Sequence, residues 1–286
     1  MSEIGGPATL SDLTRFTDPP PAWMVRVVLP DIGGGKMTLA GLAQIANAPP
    51  EAKALVISGL DQRTFEKLVT TYGSRFTAIY FWKCPRITDL SPLEELPALT
   101  HVAFYWNQRA VELWNLAATP RLRGLSFEDF TRLHALDDLA AGASLEELRF
   151  GDKVWTTSVF ASLAPLQSLS RLRRLDFDAR RIDDGRVQPI ASLPSLEVVD
   201  FPLRMFTTEQ CAWLRAHLPP SVSGRALVPA LSLSKAIGKK DTFIIGKGKP
   251  FLDSKADANR IARYAEAFWA LVEDFRRNPT REPTSR

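Results

Sequence analysis

The sequence of 286 residues contains few of the residues from which disulfides, leader segments and membrane spans are built. Its two cysteines, Cys84 and Cys211, both fall at apolar positions, so we expect buried thiols and not a disulfide framework. The stretch from Met1 to Leu13 lacks the basic start and apolar core of a signal peptide. No run approaches the ~18 apolar residues of a membrane span. We therefore expect a cytoplasmic protein without membrane contact.

Signals for metal binding or catalysis are equally sparse. No metal-site spacing joins the three histidines, which are His101, His134 and His217. Gly33 to Lys36 resembles a phosphate loop only in part, because Pro30 stands where a glycine is required and Met37 where Ser or Thr would hold magnesium. We therefore expect no metal, no cofactor, no catalytic residue and no enzymatic activity.

Charge is unevenly distributed along the chain. The formal net charge is +4, from 36 Lys and Arg against 32 Asp and Glu. Much of the excess lies near the C-terminus, in Lys235, Lys239, Lys240, Lys247, Lys249, Arg276, Arg277, Arg281 and Arg286. A local basic cluster of this kind is weak evidence for a nucleic-acid partner.

The informative feature is a phrase of the form apolar-x-x-apolar-x-Phe that occurs six times. It occupies residues 76–81, 99–104, 122–127, 145–150, 172–177 and 196–201, and a weaker copy lies at 55–60. Successive copies begin 23, 23, 23, 27 and 24 residues apart. A short strand with this pattern buries its apolar face only by stacking on a neighbour, so the period predicts a solenoid. The alternative is an ordinary α/β domain with regularly spaced strands.

The residues between the strands resemble those of a known family. Cys84 and Asn107 follow two successive strands, and Ile87 to Leu96 reads Ile-Thr-Asp-Leu-Ser-Pro-Leu-Glu-Glu-Leu. This pattern resembles the leucine-rich repeat family, in its bacterial internalin-like subtype, over about residues 55 to 221. The resemblance implies an α/β solenoid with a curved parallel sheet, short helices or turns on the convex side, and an inward Asn or Cys bonded to each turn. Three later copies depart from it at this position, which holds Phe130, Lys153 and Arg180.

The segments outside the repeats suggest caps and tails. Residues 1–22 contain Pro19 to Pro21 and are expected to form a flexible lead-in without regular hydrogen-bonded structure. Residues 23–54 are expected to form an N-terminal capping unit, and residues 55–221 the solenoid. Residues 222–278 predict a hairpin, with strands at Thr242 to Ile245 and Pro250 to Leu252, and then a helix. This unit either caps the solenoid or offers its helix to a partner, and residues 279–286 are expected to be a loose tail.

In the strands, positions one, four and six face the core, so the intervening side chains should project onto the concave sheet. They form an aromatic zone, Tyr80, Trp82, His101, Tyr105 and Trp106, and a mostly acidic zone, Glu128, Asp129, Glu147, Arg149, Arg174, Asp176, Asp178 and Asp200. Large aromatics are typical anchors of protein interfaces. The alternatives are that the N-terminal cap or a loop covers the aromatics, and that the charged residues form a solvated face with cross-strand ion pairs.

These observations favour a non-catalytic bacterial-type scaffold that binds a protein partner through its concave sheet. An acidic strip would attract a basic partner. A sharper version of this hypothesis is an inhibitor or immunity protein that blocks a basic toxic enzyme. The alternatives are binding of nucleic acid or an anionic surface by the basic C-terminal unit, and a structural role in a larger assembly.

Overall fold

A computed structural model describes residues 6–285. Its strands are β1 Met24–Val27, β2 Ala54–Ile57, β3 Ala78–Trp82, β4 His101–Asn107, β5 Gly124–Phe130, β6 Glu147–Gly151, β7 Val159–Phe160, β8 Arg174–Asp178, β9 Arg181–Ile182, β10 Val198–Asp200, β11 Ala230–Ile237, β12 Lys240–Ile244 and β13 Phe251–Leu252. Its α-helices are α1 Leu10–Thr14, α2 Leu39–Ala43, α3 Gln62–Tyr72, α4 Gln188–Ala191, α5 Thr208–His217 and α6 Ala258–Arg277.

The central element is an eight-stranded parallel sheet in the order β1-β2-β3-β4-β5-β6-β8-β10. Pairing follows the sequence repeat residue by residue, so that Ala78, His101, Gly124 and Glu147 are successive register partners. Short connections return each strand to the same end of the sheet, and most contain a 3-10 turn: Ser91–Glu95, Leu116–Ala118, Asp137–Ala141 or Ala164–Ser168. The chain is thus a leucine-rich repeat solenoid, and the fold predicted from the sequence is confirmed.

The core is a column of phenylalanines at position six of the repeat. Its members are Phe81, Phe104, Phe127, Phe150, Phe177 and Phe201, each no more than 1% exposed. Neighbouring rings stack with centroids 4.6 Å apart for Phe81 and Phe104, and 5.2 Å apart for Phe150 and Phe177. Identical spacing in sequence therefore becomes direct contact in space, which is why no single repeat has a core of its own.

The turns after β4 and β5 are closed by the last residue of each strand, and the type of side chain decides how. The Asn107 amide is 1% exposed, donates to the carbonyls of Cys84 and Ile87, and accepts from the backbone amides of Arg109 and Ala110. One repeat later, Phe130 closes the turn by packing instead, with its ring edge-on to Phe104 and Phe127 at 5.6 and 5.9 Å. Phe130 therefore replaces the hydrogen-bonded turn with apolar packing, whereas Lys153 and Arg180, the other two departures from the family pattern, are exposed.

The N-terminal lead-in differs from the sequence prediction. Residues 10–14 form helix α1, begun by a capping box in which Thr9 and Asp12 bond each other's backbone amides. The expectation of no regular structure over residues 1–22 is wrong for this segment; residues 1–5 lie outside the described part of the chain. The helix packs against β3, β4 and β5 on the sheet face opposite the phenylalanine column, which we call the open face.

The C-terminal unit contains the predicted hairpin and one further strand. β12 and β13 pair antiparallel, with Thr242 opposite Leu252. Strand β11 was not predicted from the sequence; it pairs antiparallel with the other edge of β12. Helix α6 begins at Ala258, packs on α5 and buries Phe268, Val272 and Phe275. No helix within residues 6–285 is long and apolar enough to cross a membrane.

The predicted loose tail also has contacts over its described residues. The Trp213 indole donates to the Arg281 carbonyl at 3.1 Å, and the Thr207 hydroxyl donates to the Thr284 carbonyl at 3.0 Å. Arg281 pairs with Glu209 at 2.7 Å and also with Asp274. Residues up to 284 therefore lie against α5 and α6.

We expect Asn107→Ala to lower the free energy of unfolding by about 2 to 4 kcal/mol, because four backbone groups in the turn lose their partner. The exposed neighbour Gln108 serves as the control, and Gln108→Ala should change stability by less than about 0.5 kcal/mol. Urea unfolding followed by circular dichroism measures both. Equal stability of the two variants would contradict a structural role for the Asn107 amide.

Candidate functional site

The structure separates the thirteen predicted partner-binding residues into three groups. Four are buried: Tyr80, His101, Glu128 and Asp129. Six are partly exposed: Trp82, Tyr105, Trp106, Glu147, Arg149 and Asp200. Three are exposed: Arg174, Asp176 and Asp178. The aromatic and acidic zones are thus adjacent on one sheet, as its register requires, but they are not uniformly accessible.

Tyr80 and His101 are 3% and 2% exposed, so the expectation that they face solvent is wrong. The cause is the N-terminal segment, by which we mean residues 7–17. Leu10 and Leu13 pack on the open face in a second apolar cluster, separate from the phenylalanine column. The sheet's contribution to this cluster is Met24, Ala54, Val56, Ala78, Tyr80 and Ala103.

Gly124 makes the close approach of this segment feasible. A Cβ at Gly124 would lie 2.4 Å from Cδ2 of His101 and 3.1 Å from Cγ of Leu10, so no larger residue fits without displacing them. Beyond Gly124 the contact becomes polar, because the Glu147 carboxylate accepts from the Leu10 backbone amide at 3.0 Å. A carboxylate at a helix start satisfies an amide that has no partner within the helix.

Several polar atoms in the segment and beneath it have no hydrogen-bond partner among the described residues. The Ser126 hydroxyl is fully buried on the open face and forms no hydrogen bond with any described residue. The same is true of Thr17 Oγ1 and Arg26 Nε, although Arg26 Nη2 donates to the Thr17 carbonyl at 2.6 Å. Each buried unpartnered group costs about 1 to 3 kcal/mol. The apolar side chains of the segment are therefore well packed on the sheet, whereas several polar atoms at the same contact lack hydrogen bonds.

An aromatic edge remains accessible beside the segment. Phe16 is 45% exposed, and its ring lies 6.1 Å from Tyr80 and 5.3 Å from Trp82. The Lys83 ammonium lies over the Trp82 ring at 4.3 Å. Tyr105 is covered in the same manner by Lys153 at 5.3 Å. These rings retain part of their surface while cations hold them in place.

Next to this edge, a loop at residues 153–157 projects two apolar side chains. Val154 is 60% exposed and Trp155 48% exposed. The Asp129 carboxylate fixes the loop from below, because it accepts from the backbone amides of Lys153, Val154 and Trp155 at 2.9 to 3.3 Å. Asp152 fixes the far end of the loop by accepting from the amide and hydroxyl of Ser158. Large apolar side chains on a restrained loop suit a binding surface.

Val154 and Trp155 were not among the predicted site residues, although the sequence carried a signal for them. The interval of 27 residues between the fourth and fifth copies adds four residues to the 23-residue repeat, and the loop lies in this interval. The prediction that Asp129 lies on the exposed face was also wrong. Asp129 is 2% exposed because its carboxylate turns toward the loop amides. Glu128 is 7% exposed and pairs with Lys153 at 2.9 Å.

The acidic zone contains both ion pairs between neighbouring elements and a carboxylate without an ion-pair partner among the described residues. Arg149 pairs with Asp176 at 3.3 Å, and Arg225 pairs with Asp200 at 3.0 Å. Asp178 forms no ion pair with a described residue, and its pKa is raised to about 6 by partial burial and by the charges of Asp152 and Asp176. A cationic group on a partner would relieve this repulsion.

A cavity of about 320 Å³ separates helix α1 from the acidic zone. Its polar lining comes from Glu147, Arg149, Arg174, Asp176 and Asp200, and Leu10 contributes apolar surface. Both signs of charge meet there, so it suits polar side chains of a partner better than a single type of ion.

The two cysteines are core residues, as predicted. Cys84 and Cys211 are at most 1% exposed and unpaired, and burial raises the pKa of each thiol to about 12. Such thiols are not nucleophilic at neutral pH. Within residues 6–285, no cluster of three or more His, Cys, Asp or Glu side chains has the geometry of a metal site.

Comparison with known proteins gives similarity of structure only. No family model matches the chain, and no curated protein matches it. Among solved structures, internalin C2 of Listeria monocytogenes is similar with 23% identity over 59% of this chain and 67% of that chain, at a TM-score of 0.46. Internalin inlF of the same organism is similar with 16% identity over 66% of this chain and half of that chain, at a TM-score of 0.48. The leucine-rich repeat fold of this chain is established by its own strand register and repeat spacing.

Acidification should loosen the N-terminal segment through His101. Burial, with a smaller contribution from the charge of Arg123 and an opposing one from Asp12, lowers the pKa of His101 to about 4. Since the docked state favours the neutral ring, its stability is complete above pH 6.5 and is lost progressively as the pH falls toward 4, by about 3 kcal/mol in all.

Tryptophan fluorescence, sensitive to the contact between Phe16 and Trp82, should report this change over pH 7 to 4. In His101→Asn, which does not titrate, the transition attributable to this residue should disappear. A fluorescence profile shared by both proteins would assign the transition to other groups.

Proposed function

We propose that this protein is a non-catalytic scaffold that binds a protein partner through the accessible part of its open face. The observation that carries this proposal is a group of aromatic side chains on and beside the parallel sheet, of which Phe16 and Trp155 are exposed and Trp82 and Tyr105 partly exposed. Tyr and Trp provide large contact area at low conformational cost, which is why they concentrate the binding energy of interfaces.

The backbone beside this group supports the same function. Lys83, Trp106 and Asp129 occupy equivalent positions at the ends of three successive strands, and all three have positive φ, at 54°, 64° and 56°. This conformation is unfavourable for residues other than glycine and persists where the surrounding structure enforces it. Here the paired strands and the Asp129 hydrogen bonds do so. A rigid surface binds without the entropic cost of ordering its loops.

In the sharper form of the proposal, the partner is basic and the protein acts as its inhibitor or immunity protein. The support is electrostatic. Asp176 and Asp178 are exposed, and the pKa of Asp178 is raised to about 6 by partial burial and by the neighbouring charges of Asp152 and Asp176. Complementary charge accelerates association and makes binding sensitive to salt.

The aromatic group is tested by Trp155→Ala, with Trp269→Ala on helix α6 as the matched control. The two indoles are similarly exposed, at 48% and 43%, so both variants remove comparable surface without disturbing the core. We expect Trp155→Ala to weaken partner binding by at least ~1.4 kcal/mol, which is tenfold, and Trp269→Ala to leave it unchanged. Affinity capture from the native organism, followed by calorimetry with the captured protein, makes the comparison. The opposite ranking would move the binding site to the C-terminal unit.

A basic partner should bind more tightly as the pH rises from 5 to 7. The pKa of Asp178 is about 6 in the free protein, and a nearby cation lowers it, so binding below pH 6 requires release of a proton. Asp178→Asn should remove this part of the pH dependence and lower the affinity at pH 7. A pH profile that is flat in the unmodified protein would exclude a basic group at this position.

A second candidate function concerns the C-terminal unit. Residues 222–286 contain thirteen Lys and Arg against seven Asp and Glu, whereas residues 1–221 contain slightly more acidic than basic residues. Lys235, Lys239 and Lys240 are exposed on β11, β12 and the turn between them. We expect any nucleic-acid affinity to fall steeply with salt and to vanish on charge reversal of these three lysines. Salt-independent binding would exclude an interaction with phosphates.

A further inference from the structure

We propose that the open face beneath the N-terminal segment is itself a docking surface for a partner segment, and that residues 7–17 are its resident intramolecular competitor. The partner chemistry is given by the present occupant: a short helix that presents two leucines one turn apart and a free backbone amide at its start. This inference rests on the proposed function and specifies a second part of the binding face.

The sheet is shaped for such an occupant. In its first five strands, the open face bears the small side chains Ala54, Ala78, Ala103, Gly124 and Ser126. They form a trough in which Leu10 and Leu13 become 2% and 0% exposed. At the next strand, Glu147 ends the trough with an acceptor for the first helical amide. The apolar and polar contacts together define both the position and the direction of a bound helix.

Two buried polar atoms on this side of the sheet form no hydrogen bond with the resident segment. Ser126 Oγ on β5 is completely buried and has no partner among the described residues, and Arg26 Nε, four strands away on β1 beside Phe16, is also buried without one. A partner segment with the same leucines and with carbonyl or carboxylate oxygens near Ser126 and Arg26 would satisfy them. Such a segment would compete with the resident one through additional hydrogen bonds, not through additional apolar area.

The attachment of the segment permits exchange. Residues 18–22 link it to β1 and contain the three prolines Pro19, Pro20 and Pro21, none of which is buried. Proline has no backbone amide hydrogen to bind into the sheet, and a proline-rich link extends readily. The segment is thus held by its own contacts with the open face and not by continuity with the solenoid.

The test uses the full chain and a labelled peptide of residues 6–16. In Leu10→Asp/Leu13→Asp, the buried charges should undock the resident segment and leave the trough free for the peptide in trans. The matched control is Ser11→Asp, which places a charge at an exposed position of the same helix and should keep the trough occupied. Fluorescence anisotropy measures binding, and thermal unfolding confirms that each protein is folded.

We expect the double variant to bind the peptide with a Kd of about 0.1 mM or tighter. A short flexible tether gives the resident segment an effective concentration of about 1 mM at the trough. If the segment is docked in about nine molecules of ten, its own Kd for the trough is about 0.1 mM. The unmodified protein and Ser11→Asp should bind at least tenfold more weakly. A peptide with both leucines changed to aspartate should not bind. A folded double variant that ignores the peptide would overturn the proposal.

Amide hydrogen exchange in the unmodified protein gives an answer even if the double variant does not fold. A resident competitor should open locally, so the amides of helix α1 should exchange at least 100-fold faster than those of β4 and β5. Equal protection would show that the segment unfolds only with the solenoid and would overturn the proposal. If the peptide binds and Trp155→Ala leaves the affinity for the partner unchanged, the docking surface is supported and the aromatic group is rejected as the binding site.

Discussion

The constraint from which the rest of the structure follows is the in-register pairing of parallel strands at a spacing of 23 residues. Once Phe104 pairs with Phe81 and Phe127 with Phe104, every side chain of one repeat lies beside its equivalent in the next. Burial of the phenylalanine column therefore fixes the opposite face as well, because alternate residues must point away from the core. The open face is a consequence of the same register that builds the core.

The open face changes character between β5 and β6, and this change explains the position of the N-terminal segment. From Ala54 to Gly124 the outward residues are mostly apolar or small, whereas Glu147 and Arg149 begin the charged half. A broad apolar sheet face in water is unfavourable, so the first half must be covered by something. The segment covers that half and stops at Glu147, whose carboxylate accepts its first helical amide.

The sequence could predict the repeat, the strand register and the inward side chains, because these follow from local periodicity. It could not decide whether Tyr80 is exposed, since this depends on a segment some 65 residues earlier whose own pattern is short and interrupted by prolines. A signal was present in the residues beside the aromatics: Ala78 and Gly124 flank His101 in one row across the sheet, and Ala103 and Ser126 follow Tyr80 in the next, so small side chains leave space that something fills. The role of Asp129 was beyond sequence reasoning, because its partners belong to a loop in the next repeat.

The two parts of the candidate binding face are physically connected through Phe16. This ring belongs to the N-terminal segment, and it contacts Trp82, which belongs to the accessible aromatic edge. The ring also lies 6.1 Å from that of Tyr80 and 5.0 Å from the guanidinium of Arg26, which donates to the Thr17 carbonyl. A partner that binds Trp82 on the side occupied by Phe16 must displace this ring and weaken the attachment of the segment. By thermodynamic reciprocity, removal of the segment must favour the same partner to the same extent. In this proposal the segment and the aromatic edge are therefore coupled sites on one sheet, and the coupling is transmitted through the contacts of Phe16 with Trp82 and Tyr80.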